Sequence, residues 1–250
     1  MDRFFLQADQ IVDGTVTFPE NISRQIRKVL RMDVKKGAVM VLDNSGWEYL
    51  VQLDGLKGNQ VIGHITSKQE GRPESNARIT VSFSQAKREK VEMILQKCTE
   101  IGVSEFIPFV SSRTLVNELK ANSARQERLE AIIREASEQS RRSRLPILHP
   151  AVSFKDLLQQ TSNCDLRLIA WEGTPLVKRI CKAVVAPLSA MEDKSVALLI
   201  GPEGGFSAEE VQLAEEFGYQ QISLGVNILR METACIAGSV LLRHLCDCFE

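Results

Sequence analysis

Five consecutive residues, Val196 to Ile200, read V-A-L-L-I without a polar side chain, and the chain then breaks into Gly201-Pro202-Glu203-Gly204-Gly205. A strand with one wet face alternates polar and apolar residues, so a strand lacking that alternation must be covered on both faces. That admits few folds, chiefly a mostly parallel sheet with helices on either side. The chain from residue 77 onward keeps to this pattern. Strand-like runs at 77–83, 105–110, 166–171, 195–200 and 221–224 alternate with helical periodicities near 88–101, 122–142, 175–189, 207–217 and 232–248. The predicted fold class is α/β.

Residues 1–72 read differently. Short β-prone runs at 38–42, 47–53 and 60–66 are separated by the turn clusters DNSG and DGLKGN, the punctuation of antiparallel hairpins in a small barrel. One helix is expected near 21–32, with Ile22, Ile26, Val29 and Leu30 on its inner face. The polar Gly- and Pro-containing stretch GRPESNA at 71–77 reads as a linker, which predicts two domains, 1–72 and 73–250.

Several function classes are excluded. Hydrophobic residues at 44% and charged residues at 25% rule out a disordered chain. The longest apolar runs fall far short of the roughly 18 residues a membrane span needs. The start MDRFFLQADQ lacks a cationic, apolar export signal, so a cytoplasmic location is expected. Six scattered cysteines, Cys98, Cys164, Cys181, Cys235, Cys246 and Cys248, contain no C-x-x-C and read as reduced thiols. With only His64, His149 and His244, neither a metal site nor a Ser-His-Asp hydrolase has enough ligands or bases.

Charge is segregated although the net charge is -1. Residues 78–146 carry 13 basic and 9 acidic side chains, whereas 147–250 carry 8 and 13. Arg24, Arg27, Lys28 and Arg31 share one face of the expected helix, either a solvated face or a phosphate-contacting stripe. Arg141, Arg142 and Arg144 form the densest cationic spot, and Lys87, Lys90 and Lys97 cluster on the helix near 88–101. Such a basic face suits a polyanion. With aromatics at 6%, phosphate contacts rather than base stacking would dominate.

Two loops can carry chemistry. LLIGPEGGFSAEE, residues 198–210, is a buried strand, a glycine loop and a helix opened by the capping pair Ser207 and Glu210. In open α/β sheets ligands bind at such strand ends. Neither G-x-G-x-x-G nor a P-loop occurs in the chain. ISLGVNILRMETACIAG, residues 222–238, is a second strand, a loop from Gly225 and a helix whose Ala234, Ala237 and Gly238 allow close packing. Neighbouring strands would thus deliver both loops to one edge. Arg230 and Glu232 flank the second loop, as an ordinary ion pair or as an electrostatic pair beside a bound ligand.

GPEGGFSAEE followed by LGVNILRMETA resembles the signature of the RsmE family of 16S rRNA uridine-N3 methyltransferases, SPOUT-superfamily proteins. QKCTEIGVSEFIPFVSSR (96–113), EQSRRSRLP (138–146) and RQIRKVLRMDVKKG (24–37) extend the likeness over nearly the whole chain. The resemblance implies a PUA-like β-barrel ahead of a SPOUT domain with a C-terminal trefoil knot. It also implies S-adenosyl-L-methionine as cofactor, a homodimer, and 16S rRNA or the assembled small ribosomal subunit as partner. Carried over by residue, Ala170, Gly201, Glu203, Gly204, Gly205, Leu224, Gly225, Ile228 and Leu229 would hold the cofactor. Arg24, Arg27, Lys28, Arg31, Lys90, Arg141, Arg142 and Arg144 would contact RNA. Val226, Asn227 and Met231 depart from the family pattern, which removes or relocates an arginine contact to RNA.

N3 of uridine carries a proton and faces a Watson–Crick partner, so the base must be unpaired or flipped before it can react. Arg230 is the expected catalytic residue, stabilising negative charge on the uracil oxygens. Glu232 is expected to orient it or to accept the proton through water. Ribose 2'-O methylation and a non-catalytic ribosome-associated RNA-binding role are the competing readings.

Overall fold

The structure, a computed structural model, describes residues 1–250 except 73, 76, 115–122, 176, 177, 179, 181, 189–192 and 248–250. These residues form two compact units, 1–74 with 137–145, and 75–136 with 146–250. A boundary at residue 72 would leave 137–145 with the second unit. The segment clusters with the first because Ser143 donates to Glu48 at 2.9 Å, Leu145 N to Asn44 at 2.6 Å, and Arg142 pairs with Glu74.

The first unit holds strands β1 (Arg3–Phe5), β2 (Ile11–Val12), β3 (Thr15–Thr17), β4 (Ala38–Leu42), β5 (Trp47–Lys57) and β6 (Gln60–Glu70) in the order β1-β4-β5-β6-β3-β2. The pairing is antiparallel except for parallel β1 and β4. The sheet curls over Phe4, Val16, Phe18, Val39, Val51 and Leu53 as a half-barrel. The curled sheet answers to the small barrel expected from the hairpin pattern, with β1 and β2 as its two edges. The expected DGLKGN turn shrinks to Gly58-Asn59, because β5 continues to Lys57 through a bulge at Gly55, whose φ of 139° suits glycine alone.

The helix expected at 21–32 is split. An α-turn, α1 (Glu20–Arg24), runs into a π-turn over Gln25–Val29, marked by Leu30 N donating to Gln25 O at 3.0 Å. The wider turn shifts the phase of the faces. Ile22 and Ile26 stay buried, but Val29 turns outward at 71% exposure.

In the second unit, β7 (Ala77–Ser84), β8 (Glu105–Val110), β10 (Val152–Ser153), β11 (Leu166–Ala170), β12 (Lys194–Ile200) and β13 (Gln220–Ile222) form a sheet in the order β10-β8-β7-β12-β11-β13, with β9 (Ile147–Leu148) beside β8. Every pairing is parallel. β12 is central, and its residues divide between two cores. Val196, Leu198 and Ile200 join a core with α2 (Arg88–Ile101), α3 (Ser123–Ser140) and α7 (Met231–Asp247). Ala197 and Leu199 join another with α4 (Phe154–Gln160) and α6 (Ala208–Glu216). The apolar run therefore is a strand covered on both faces.

Gly102, at φ 98°, ends α2 with a left-handed cap. Gly238 lets α7 lie against Leu198, because a Cβ there would stand 2.7 Å from that side chain. Of the stretch 175–189, residues 176, 177, 179, 181 and 189 lie outside the described residues; a short helix, α5, covers Lys182–Val185, followed by a 3-10 turn over Ala186–Leu188. Cys98, Cys164, Cys235 and Cys246 are free thiols, and Cys181 and Cys248 lie outside the described residues. Among the described residues no helix is long and apolar enough to cross a membrane, and no cluster of His, Cys, Asp or Glu is placed to hold a metal.

Candidate active site

Three parallel strands of the second unit end level with one another, because Ala170 is in register with Ile200 on one side and Ile222 on the other. The two loops expected from neighbouring strands thus spring from β12 and β13 with β11 between them. The three segments that follow these strands enclose a cavity of about 710 Å³, within the range of small-ligand sites.

The glycine loop is a tight bend in which Gly205 N donates to Pro202 O at 2.9 Å. Gly205 has φ 68°, and the carboxylate of Glu172 fills the space its Cβ would need. Phe206 anchors the loop by stacking at 6.3 Å on Phe109. The capping box then opens α6: Glu210 N donates to Ser207 Oγ at 3.2 Å and Ser207 N to Glu210 Oε2 at 3.0 Å. The turn after β8 holds the loop from outside. Arg113 Nη1 donates to Gly204 O at 3.0 Å, and Ser112 N donates to Glu210 Oε1 at 2.8 Å. Thr114 fixes that turn by accepting from Ser111 N at 2.8 Å.

The second loop begins at Ser223, whose Oγ donates to Gly225 O at 3.1 Å. Gly225 has φ 141°, a conformation that disfavours a side chain. Leu224 and Leu229 pack against the core, whereas Val226 and Ile228 are exposed. The first turn of α7 closes the loop, with Ala234 N donating to Arg230 O at 2.8 Å.

Ala170, Gly201, Glu203, Gly204, Gly205, Leu224, Gly225, Ile228, Leu229 and Arg230 all line the cavity. So do Trp171, Glu172, Thr174, Pro202, Phe206 and Ser223, which the sequence reading did not single out. Glu232 does not. It is buried in the first turn of α7, and Arg230 is not its partner; the cation beside it is Lys90, with Nζ 3.8 Å from Oε2. The same Nζ donates to Glu203 Oε1 at 2.8 Å, so Lys90 belongs to the rim of this site.

That hydrogen bond is the largest influence on Lys90 and raises its pKa; burial opposes it, and the charges of Glu203 and Glu232 add to it against that of Arg230. Burial is the largest influence on Glu203 and would raise its pKa. The Lys90 hydrogen bond, Glu203's own backbone and the charges of Lys90 and Lys87 together hold it below the usual value.

The other basic residues lie in the first unit. Arg24, Arg27 and Lys28 are exposed on the short helix, but Arg31 lies beyond its end at φ 52° and does not continue the stripe. Arg141 and Arg144 are exposed. Arg142 is buried against Glu74 and is not open to a phosphate.

Residues 73–242 match the family model of an RNA methyltransferase domain. The chain is 30% identical to Ribosomal RNA small subunit methyltransferase E of Synechocystis sp. over 236 residues, covering 93% of this chain and 74% of that one. It is 34% identical to the protein of the same name from Mesomycoplasma hyopneumoniae, covering 75% and 78%. The crystal structure of a Ribosomal RNA small subunit methyltransferase E from Neisseria gonorrhoeae bound to S-adenosyl methionine superposes with a TM-score of 0.82 at 29% identity, covering 98% of each chain.

Proposed function

This chain belongs to the RNA methyltransferase family that includes the small-subunit methyltransferases E, and from that premise we propose that it methylates ring nitrogen N3 of a uridine in 16S rRNA. It is an S-adenosylmethionine-dependent rRNA methyltransferase. The observation that carries the reading is the convergence of both signature loops on one cavity. S-adenosylmethionine would supply an electrophilic methyl group on a sulfonium.

The residues present fit that donor. Gly225 leaves backbone free of side chains at the cavity wall, Leu224 and Leu229 offer an apolar surface to a purine, and the Glu172 and Glu203 carboxylates suit a cation. Arg230 is exposed at the cavity edge, where a guanidinium can neutralise charge developing on the uracil oxygens as the N3 proton leaves. Glu232 acts at one remove, since it does not reach the cavity. A donor held between the two loops in this cavity would be aligned with the base and kept from water.

RNA contact in the first unit is assigned to Arg24, Arg27, Lys28, Arg141 and Arg144, all exposed. A knotted path, a homodimer, the assembled small subunit as substrate and a cytoplasmic location belong to the same reading. Support for the homodimer is apolar exposure on helices that pack together, Met93 on α2 and Val240 and Leu241 on α7. The test is incubation of the protein and labelled donor with small subunits lacking the modification, followed by mass spectrometry of nuclease digests. One N3-methylated uridine supports the proposal; ribose methylation, or no transfer, refutes it.

A further inference from the structure

We propose that Lys90 is the positioning residue of this site, an ammonium strut tying the cavity carboxylate of Glu203 to the buried carboxylate of Glu232, and not a phosphate contact. The inference rests on the methyltransferase reading only for what the site is used for. Its geometry is independent.

Three elements meet at the lysine nitrogen. Lys90 comes from the first turn of α2, Glu203 from the loop after β12, and Glu232 from the first turn of α7. Nζ donates to Glu203 at 2.8 Å and lies 3.8 Å from Glu232 Oε2, a separation that leaves attraction without a hydrogen bond. Glu232 Oε2 is buried and has no hydrogen-bond partner among the described residues. A buried carboxylate oxygen without a donor is costly unless a cation stands nearby, and Lys90 is the one ion-pair partner found for it among the described residues.

The side chains are 26%, 29% and 12% exposed for Lys90, Glu203 and Glu232, so water screens these charges only in part. One ammonium therefore serves two carboxylates. The other charges facing the group are Arg230, beside Lys90, and Lys87, beside Glu203. Without the ammonium Glu203 would lose its hydrogen-bond donor, and the like charges of the two carboxylates would push them apart. Glu203 would then leave its position at the cavity wall, and the start of α7, which carries Arg230 one residue upstream, would lose its tie to the glycine loop. A lysine engaged in this way has no free charge to offer an RNA phosphate.

The experiment compares the full-length protein with Lys90→Met and Lys90→Arg. Transfer to unmodified small subunits is measured across pH, and a carbon-13 titration of the glutamate carboxyls is run with Glu203 assigned through Glu203→Gln. Lys90→Met should lower turnover on the order of tenfold to a hundredfold, with the acid limb of the pH profile and the Glu203 titration both moving toward neutral pH. Lys90→Arg should restore both, and the salt slope of RNA binding should stay unchanged in either variant. An unmoved Glu203 titration in Lys90→Met, or a salt slope smaller by about 1, overturns the proposal. Absence of transfer by the unaltered protein would sink the methyltransferase reading, while the carboxyl titration judges Lys90 in either case.

Discussion

Arg142 grips both carboxylate oxygens of Glu74, Nε to Oε1 at 3.1 Å and Nη2 to Oε2 at 2.6 Å, in a fork that turns one arginine of a three-arginine cluster inward. Its neighbour Arg141 is exposed in a left-handed conformation, φ 63°. One segment therefore holds an anchor and a presented charge side by side.

The two should separate on mutation. Arg142→Ala is expected to lower stability by about 1–3 kcal/mol, less than the full cost of breaking a buried pair because Glu74 is partly solvated. Arg141→Ala should stay within about 0.5 kcal/mol of the unaltered protein yet reduce the salt slope of RNA binding by about 1. Denaturant titration and salt-dependent filter binding check the pair. Equal destabilisation by both would refute the division of labour.

Gly205→Ala places a side chain where φ is 68° and where the Glu172 carboxylate already sits. The backbone strain alone should cost about 1–3 kcal/mol. Displacing Glu172 should also weaken S-adenosylmethionine binding, measured by calorimetry. A variant as stable as the parent, with unaltered affinity, would show that this bend is not under the constraint described.

Arg230→Ala should cut turnover on the order of a hundredfold while leaving S-adenosylmethionine affinity nearly unchanged, because a group that meets developing charge acts in the transition state alone. Single-turnover rates and calorimetry together decide it. Parallel loss of both would move Arg230 from catalysis to cofactor binding.

Glu92 on α2 is held at a pKa of about 2 by hydrogen bonds from Arg128 and Arg88, against an ordinary value of 4.5. A carboxyl depressed in the folded state contributes stability above its unfolded value and loses it as pH falls through the folded one. Thermal midpoints at low salt should therefore drop between pH 4.5 and 2 more steeply for the unaltered protein than for Glu92→Gln. Added salt should shrink the difference, as the pair is open to solvent. Identical acid profiles would show the two arginines contribute nothing to folding.

Much of the second unit was legible because its periodicities are strong. The apolar run at 196–200 located the central strand, and the expected bounds 105–110 and 88–101 match β8 and α2 residue for residue. In the first unit β1, β2 and β3 escaped notice, since two or three residues cannot display a period. The π-turn was invisible for a different reason. Ile22, Ile26, Val29 and Leu30 fit a regular helix, and only the hydrogen bond to Gln25 O reveals the wider winding.

At the site, glycines marked the bends through local chemistry. Arg113 and Lys90 were not legible as supports, because they act on residues 91 and 113 positions away. The mistaken pairing of Arg230 with Glu232 has the same origin. Closeness in sequence suggested a partner, whereas folding supplied one from another helix.

The excursion of residues 137–145 into the first unit means that this polypeptide cannot be dissected by a single cut. A fragment starting at residue 75 would carry Arg142 and Ser143 without Glu74 and Glu48, their acceptors. The complementary fragment would keep two carboxylates whose donors had gone with the other piece. Anyone seeking separate modules here would need to excise and rejoin the chain at both ends of that detour, so the two halves inherit their integrity from each other's continuity.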